Sequence, residues 1–202
     1  GVSESIAEIN VERFKSWGNS TTEEKRAIFQ FEGDVFKHLD AKNLDDKDIK
    51  YMNKKLRILS GIYGVLRPSD EMNPYRLEMG TQYNFGDTKN LYDFWGVELS
   101  NELNKVAMKT DTQVLLNCAS NEYFSAIDKK ALKLHVVTPV FLENAARKPK
   151  IVSFYAKKAR GAMARFVIQN KITKTKELIS FDTGGYAYQP DLSDEQTLYF
   201  VR

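Results

Sequence analysis

The chain has 202 residues, a formal charge of +3 and 42% hydrophobic residues, 12% of the total being aromatic, which is enough for the core of one domain. No run of about 18 apolar residues exists, which excludes a membrane-spanning helix, and the N-terminus lacks a signal-peptide pattern. The single cysteine, Cys118, excludes an internal disulfide framework and suits a reducing cytosol.

The first third reads helical. Ile6, Ile9 and Phe14 form a short apolar stripe. Thr21 and Glu24 have capping-box spacing, and Ile28, Phe31, Val35 and Leu39 follow at helical intervals. A third helix is expected over residues 46–57. Special residues then become dense in Lys55 to Asp70 and Asn73 to Thr81. Leu56, Leu59, Gly61, Ile62 and Gly64 suggest the hairpin of a helix-hairpin-helix, in which glycines let backbone N–H groups face a DNA phosphate. The spacing is Gly-Ile-Tyr-Gly rather than the usual Gly-x-Gly, and a tight structural turn between packed segments is the other reading. Arg57, Arg67 and Arg76 flank it as candidate phosphate contacts.

Leu91, Phe94, Trp95, Leu99, Leu103 and Val106 mark a fourth helix. Strand signals begin at Gln113–Cys118, recur at Leu132–Val140 where Pro139 interrupts them, and return at Lys150–Ser153 and Thr197–Val201. The irregular alternation gives an α+β class, a mixed sheet wrapped by helices. Apolar neighbours make Cys118 a buried, inert thiol, and His38 and His135 lack metal-site spacing. Asn117, Ser120, Asn121, Glu122 and Tyr123 lie where a strand gives way to a helix. Ser120 there is either a simple N-cap, or Asn117, Asn121 and Glu122 line a cleft at the strand's end. Glu78 and Glu122 are candidate paired carboxylates, read here as partners that hold Arg76 and Arg160 rather than as acid–base groups.

The charge is segregated. Residues 144–176 hold ten of the 30 cations and no Asp or Glu, leaving 20 cations against 27 anions elsewhere. The cations are Arg147, Lys148, Lys150, Lys157, Lys158, Arg160, Arg165, Lys171, Lys174 and Lys176. Such a field recruits polyanions. At about 100° per residue, Tyr155, Ala159, Ala162, Met163 and Phe166 share one face. Lys157, Lys158, Arg160 and Arg165 share the other, around Gly161. That glycine would lower the helix surface so that a phosphate or base could approach. The plainer reading is a solvated basic face on a core helix.

Three blocks and a C-terminal motif make the chain resemble the YaaA family of peroxide-stress proteins. They are Leu56–Pro68 with Tyr75-Arg-Leu-Glu-Met-Gly-Thr81, Leu116-Asn-Cys-Ala-Ser-Asn-Glu-Tyr-Phe124, and Tyr155-Ala-Lys-Lys-Ala-Arg-Gly161 running on to Phe166 and Asn170. Phe181-Asp-x-x-Gly-Tyr186 also fits. The family opens with a strand leading into Ser-Pro-Ala-Lys. This chain starts beyond it, so a strand and a cleft lysine are expected to be missing from an otherwise single domain over residues 1–202. The resemblance implies a positively charged cleft, a helix-hairpin-helix-like element and DNA binding without strong sequence preference. It also implies a cytoplasmic location and a role in limiting oxidative DNA damage and free iron.

The expected partner is therefore DNA, with no membrane, cofactor or metal site. The alternative is an enzyme acting on a base or sugar of nucleic acid. Lys157 or Lys158, desolvated beside another cation, would then form a Schiff base, and Glu122 is a further catalytic candidate. A dedicated iron site finds no His/Cys cluster to build on.

Overall fold

The computed structural model describes residues 3–18, 24–82, 86–144 and 148–202. Thr21 and Arg147 lie outside them. Helix α1 (Glu4–Lys15) has no buried residue. The Asn10 amide ties it on, donating to the Arg76 carbonyl at 2.5 Å and accepting from the Arg76 N–H at 2.8 Å. Trp17 adds to this by stacking between Phe14 and Tyr63. Strand β1 (Lys25–Arg26) leads into α2 (Ala27–Gln30), and α3 (Asp34–Leu39) follows. The single helix expected through Ile28 and Leu39 is thus two, because Phe31 and Gly33 take extended backbone. Helix α4 (Asp46–Lys55) is N-capped by Asp45, whose carboxylate accepts from the Asp48 N–H at 2.7 Å.

Strands β2 (Ile58–Ser60) and β3 (Gly64–Leu66) pair antiparallel, Ser60 opposite Gly64. Strand β4 (Glu71–Met72) pairs with β1. The glycine-bearing segment is therefore a β-hairpin, and among the described residues no helix follows it until α5 (Leu91–Trp95). This corrects the expected helix-hairpin-helix. The alternate burial of Ile58, Ser60, Gly64 and Leu66 is a strand pattern. Gly96, at φ +46°, ends α5 and separates it from α6 (Glu98–Lys109), so the fourth expected helix is also split.

The main sheet holds β5 (Val114–Leu116), β6 (His135–Leu142), β7 (Ala187–Tyr188) and β8 (Thr197–Val201) in the order β5-β6-β8-β7. Strand β6 runs parallel to β5 and β8, and β7 runs antiparallel to β8. Strand β6 passes straight through Pro139, contrary to expectation. His135 N donates to Gln113 O on the β5 side and Thr138 N to Gln196 O on the β8 side. The N of Pro139 thus points toward β5, whose pairing has already ended at Val137, and no ladder bond is lost. A short α7 (Asn121–Phe124) follows β5. Lys150 makes only an isolated bridge to Glu143, and the chain enters α8 (Ser153–Gln169) where a short strand was expected.

Helix α8 is the keystone. Ala159 and Met163 pack into the sheet core with Val137, Phe141, Phe181 and Phe200. Ala164 and Ile168 face a second core with Leu39, Met52, Ile58 and Leu66. Phe200 and Phe181 are 0% and 1% exposed, and truncating either to Ala would cost about 3–5 kcal/mol. A third core joins Leu91, Leu99 and Leu103 to Met79, Ala126 and Ile127. No helix among the described residues is long and apolar enough to cross a membrane.

Candidate functional site

The cations of the basic stretch divide into two groups. Lys157, Gly161 and Arg165 lie at i, i+4 and i+8 along one stripe of α8, as the helical geometry requires. Helix α3 covers the C-terminal half of that stripe. A Cβ on Gly161 would lie 2.1 Å from Val35 O, 3.0 Å from His38 Cβ and 3.0 Å from Leu39 N. Gly161 is therefore buried where two helix backbones meet, which corrects the expected open notch for a phosphate.

Arg165 donates to Leu39 O at 2.9 Å, Asp40 O at 2.6 Å and Asn43 O at 3.2 Å, and pairs with the Asp40 carboxylate at 3.3 Å. It closes the C-terminal end of α3, satisfying carbonyls that have no intrahelical donor. Arg160 is turned inward too. It donates to Cys118 O at 3.2 Å and Ala156 O at 3.4 Å, and burial holds its guanidinium below the ordinary range. Lys171 pairs with Asp48.

The other described cations of the stretch lie toward water. Lys148, Lys150, Lys157, Lys174 and Lys176 are exposed and Lys158 is half-buried, and none has an ion pair among the described residues. The Lys158 ammonium sits 4.1 Å from the centroid of the Phe154 ring. Lys157 is exposed and Lys158 only half-buried against Phe154, short of the enclosed, desolvated setting expected of a Schiff-base lysine.

The hairpin glycines are also packing residues. Gly64 has φ +72°, and a Cβ there would lie 2.8 Å from Trp95 Cη2 and 3.1 Å from Leu99 Cδ2. A Cβ on Gly61 would meet Leu77 O at 2.9 Å, and the Gly61 carbonyl accepts from the Trp95 indole at 3.0 Å. Both glycines face the third core, not solvent, so the expected presentation of their N–H groups to a phosphate is corrected. Arg57 donates to Asn53 O and Leu56 O at the end of α4, and burial, with Arg67 alongside, holds its pKa down. Arg67 pairs with Asp70 while remaining 61% exposed.

The other blocks meet at one place. The Arg76 guanidinium pairs with Glu78 at 2.5 Å. Glu122 accepts from the Gly80 N–H at 2.9 Å, and Tyr92 OH donates to the Glu122 carbonyl at 3.1 Å. Glu122 thus holds a backbone turn, while Arg160 is held by the Cys118 carbonyl. Tyr123 faces the carboxylates of this cluster. Burial, with Tyr75, Glu122 and Glu78 facing it, pushes its phenol well above the usual range against the pull of Arg76. Tyr75 shares a 2.5 Å hydrogen bond with buried Ser60, and burial raises its phenol as well.

Sequence reasoning missed Ser60, Tyr75 and Tyr123 as members of this cluster, although Tyr75 and Tyr123 stand inside the quoted motifs. Ser60 carried no signal beyond its place beside Gly61. Asn117 is buried, accepting from Ala119 N at 3.0 Å and donating to Thr138 Oγ1 at 3.4 Å, so it shapes the turn after β5. Ser120 caps α7 through Tyr123 N at 3.4 Å. The exposed Asn121 side chain has no hydrogen bond among the described residues. Cys118 is partly rather than fully buried, which corrects the expected buried thiol, and desolvation still pushes the thiol up to about 12 against the pull of Arg160. No group of three or more His, Cys, Asp or Glu among the described residues is placed to hold a metal ion.

Comparison with known proteins agrees with the motif reading. Residues 1–192 match the family model described as Peroxide stress protein YaaA. A UPF0246 protein of Roseobacter denitrificans is 50% identical over 206 residues, spanning all of this chain and 80% of the relative. UPF0246 proteins of Hahella chejuensis and Aliivibrio fischeri are 47% and 49% identical over 204 and 203 residues, again across the whole chain and 80% and 78% of the relatives. With three motif blocks and full-length likeness in agreement, the chain belongs to the peroxide stress protein YaaA family.

Proposed function

We propose that this protein binds duplex DNA without sequence readout, as part of the peroxide-stress response. The observation that carries this is the set of lysines about the start of α8, Lys148, Lys150, Lys157 and Lys158, with no ion pair among the described residues, in a stretch of 33 residues without an acid. Flexible ammonium groups on a helix surface suit phosphates, which position a protein on the duplex but carry no base information. Arg160 links this surface through Cys118 O to the turn bearing Glu122, so the basic cleft would lie between α8 and the cluster of Arg76, Glu78 and Tyr123. On this reading the protein works in the cytoplasm, shielding DNA from peroxide damage and helping to limit free iron.

The test is salt dependence. Four phosphate contacts give a log K against log[salt] slope of about −3.6 on B-DNA. A Lys157→Ala/Lys158→Ala double variant should halve the slope and weaken all duplex sequences equally. A slope shallower than about −1 in the intact protein, or one indifferent to the two lysines, refutes the proposal.

A further inference from the structure

Two aromatic rings stand in water at the start of the basic helix. Phe154 is 51% exposed and Tyr155 39%, with their centroids 5.5 Å apart. A half-exposed phenylalanine forfeits much of the gain that burying it would bring. Each ring carries its own cation: Lys158 Nζ lies 4.1 Å from the Phe154 centroid, and the Arg202 guanidinium 4.6 Å from that of Tyr155. Arg202 is fixed by Glu143 at 2.9 Å and by the Gly184 carbonyl at 3.1 Å. Tyr155 therefore belongs to a set structure, while the half-exposed Phe154 ring touches the Tyr155 ring and the Lys158 ammonium. Lys150 and Lys157 flank it, both exposed.

We propose that Phe154 is a stacking platform for an unpaired base, and that the protein prefers DNA containing a single-stranded stretch. This rests on the DNA-binding reading above. An exposed ring interleaved with cations is the arrangement that holds single strands, the ring taking a base face and the cations the flanking phosphates. Inside a duplex both faces of each base are already stacked, so the ring reaches only a base that is unpaired or terminal. A second copy of this chain is a poor occupant, because it would bring the same acid-free positive stretch against this one.

The experiment compares three ligands: a thymidine strand of about 12 nucleotides, an abasic strand of equal length, and a duplex. The wild type should favour the thymidine strand over the abasic one by about 5- to 150-fold for a stacked base. Phe154→Ala should erase that preference and leave abasic-strand affinity within about twofold, and Phe154→Trp should restore it. A melting curve confirms that each variant is folded. Equal wild-type affinity for thymidine and abasic strands overturns the platform, and if duplex binding with its salt slope persists, the DNA-binding reading stands alone. Failure to bind any of the three overturns both. A concentration-dependent dimer that Phe154→Ala abolishes, with no base preference, assigns the patch to self-association and also overturns the platform.

Discussion

Replacing Gly161 by alanine sets two effects of known sign against each other. In an exposed helix interior the change would stabilise by about 1 kcal/mol, through helix propensity alone. Here the new Cβ would lie 2.1 Å from Val35 O, about 0.9 Å inside the 3.0 Å limit that real Cβ contacts respect. The nearest obstacle is α3 backbone, so no side-chain rotation relieves it, and α3 must move away from α8. Overpacking of this kind costs about 1–3 kcal/mol, and the upper end applies because the shift also disturbs the Arg165 bonds to Leu39 and Asp40. The net loss is about 2 kcal/mol. For a chain of this size that lowers the midpoint by roughly 4–8 °C. Circular-dichroism melting and urea titration on the same variant give both numbers. A Gly161→Ala protein as stable as the wild type, or more so, would show that this glycine faces solvent and would refute the packing argument.

Gly64→Val should lose roughly 1–3 kcal/mol, from backbone strain at φ +72° and the collision with Trp95. Its duplex affinity per folded molecule should be unchanged, read by pairing a melting curve with a binding titration. Arg165→Met should cost about 2 kcal/mol in urea, the order expected for hydrogen bonds from a charged donor, yet leave the salt slope of duplex binding where it was. Cys118 should resist iodoacetamide at about pH 8.5 in the native protein and react once urea unfolds it, because its thiol is pushed up to about 12 from an ordinary value of 9.0. The same shift has a stability consequence. Between those values the native state keeps a proton that the unfolded chain has lost, so stability is whole below about pH 9 and falls as pH rises toward 12. Cys118→Ala should flatten that fall, measured by urea midpoints across the range.

The sequence carried the elements whose signal is local. The bounds of β8 and the helical identity of α8 follow from alternation and periodicity, and so does the stripe that puts Lys157 and Arg165 on one side. What α3 does to that stripe was invisible, since nothing in Arg165 itself distinguishes a phosphate ligand from a donor to the carbonyls of Leu39 and Asp40. The helix breaks at Gly33 and Gly96 were masked because the apolar rhythm continues across them, both flanking segments burying the same side. In the hairpin, the glycines suggested backbone exposure, while the strand alternation of Ile58, Ser60, Gly64 and Leu66 was the better guide. Pro139 misled in the opposite sense. It sits in a strand bonded on both sides, but one residue pair past the point where β5 stops.

The order β5-β6-β8-β7 also bears on how the molecule is made. Strand β8 lies between β6 and β7, and Phe200 fills the middle of the sheet core. Thr138 waits for Thr197, its register partner 59 positions later in the chain. During synthesis β6 therefore stands with one edge open while α8 and the turns beyond it are still being added. The span that waits for β8, Thr138–Leu142, carries Val140, Phe141 and Leu142, well suited to pairing with another nascent chain. Pro139 does not guard that edge, because its N faces the β5 side; it blunts instead the opposite edge of β6 beyond Val137, where the pairing with β5 has ended. A residue that looks like a fault in the folded strand thus guards the stretch of β6 that β5 leaves uncovered.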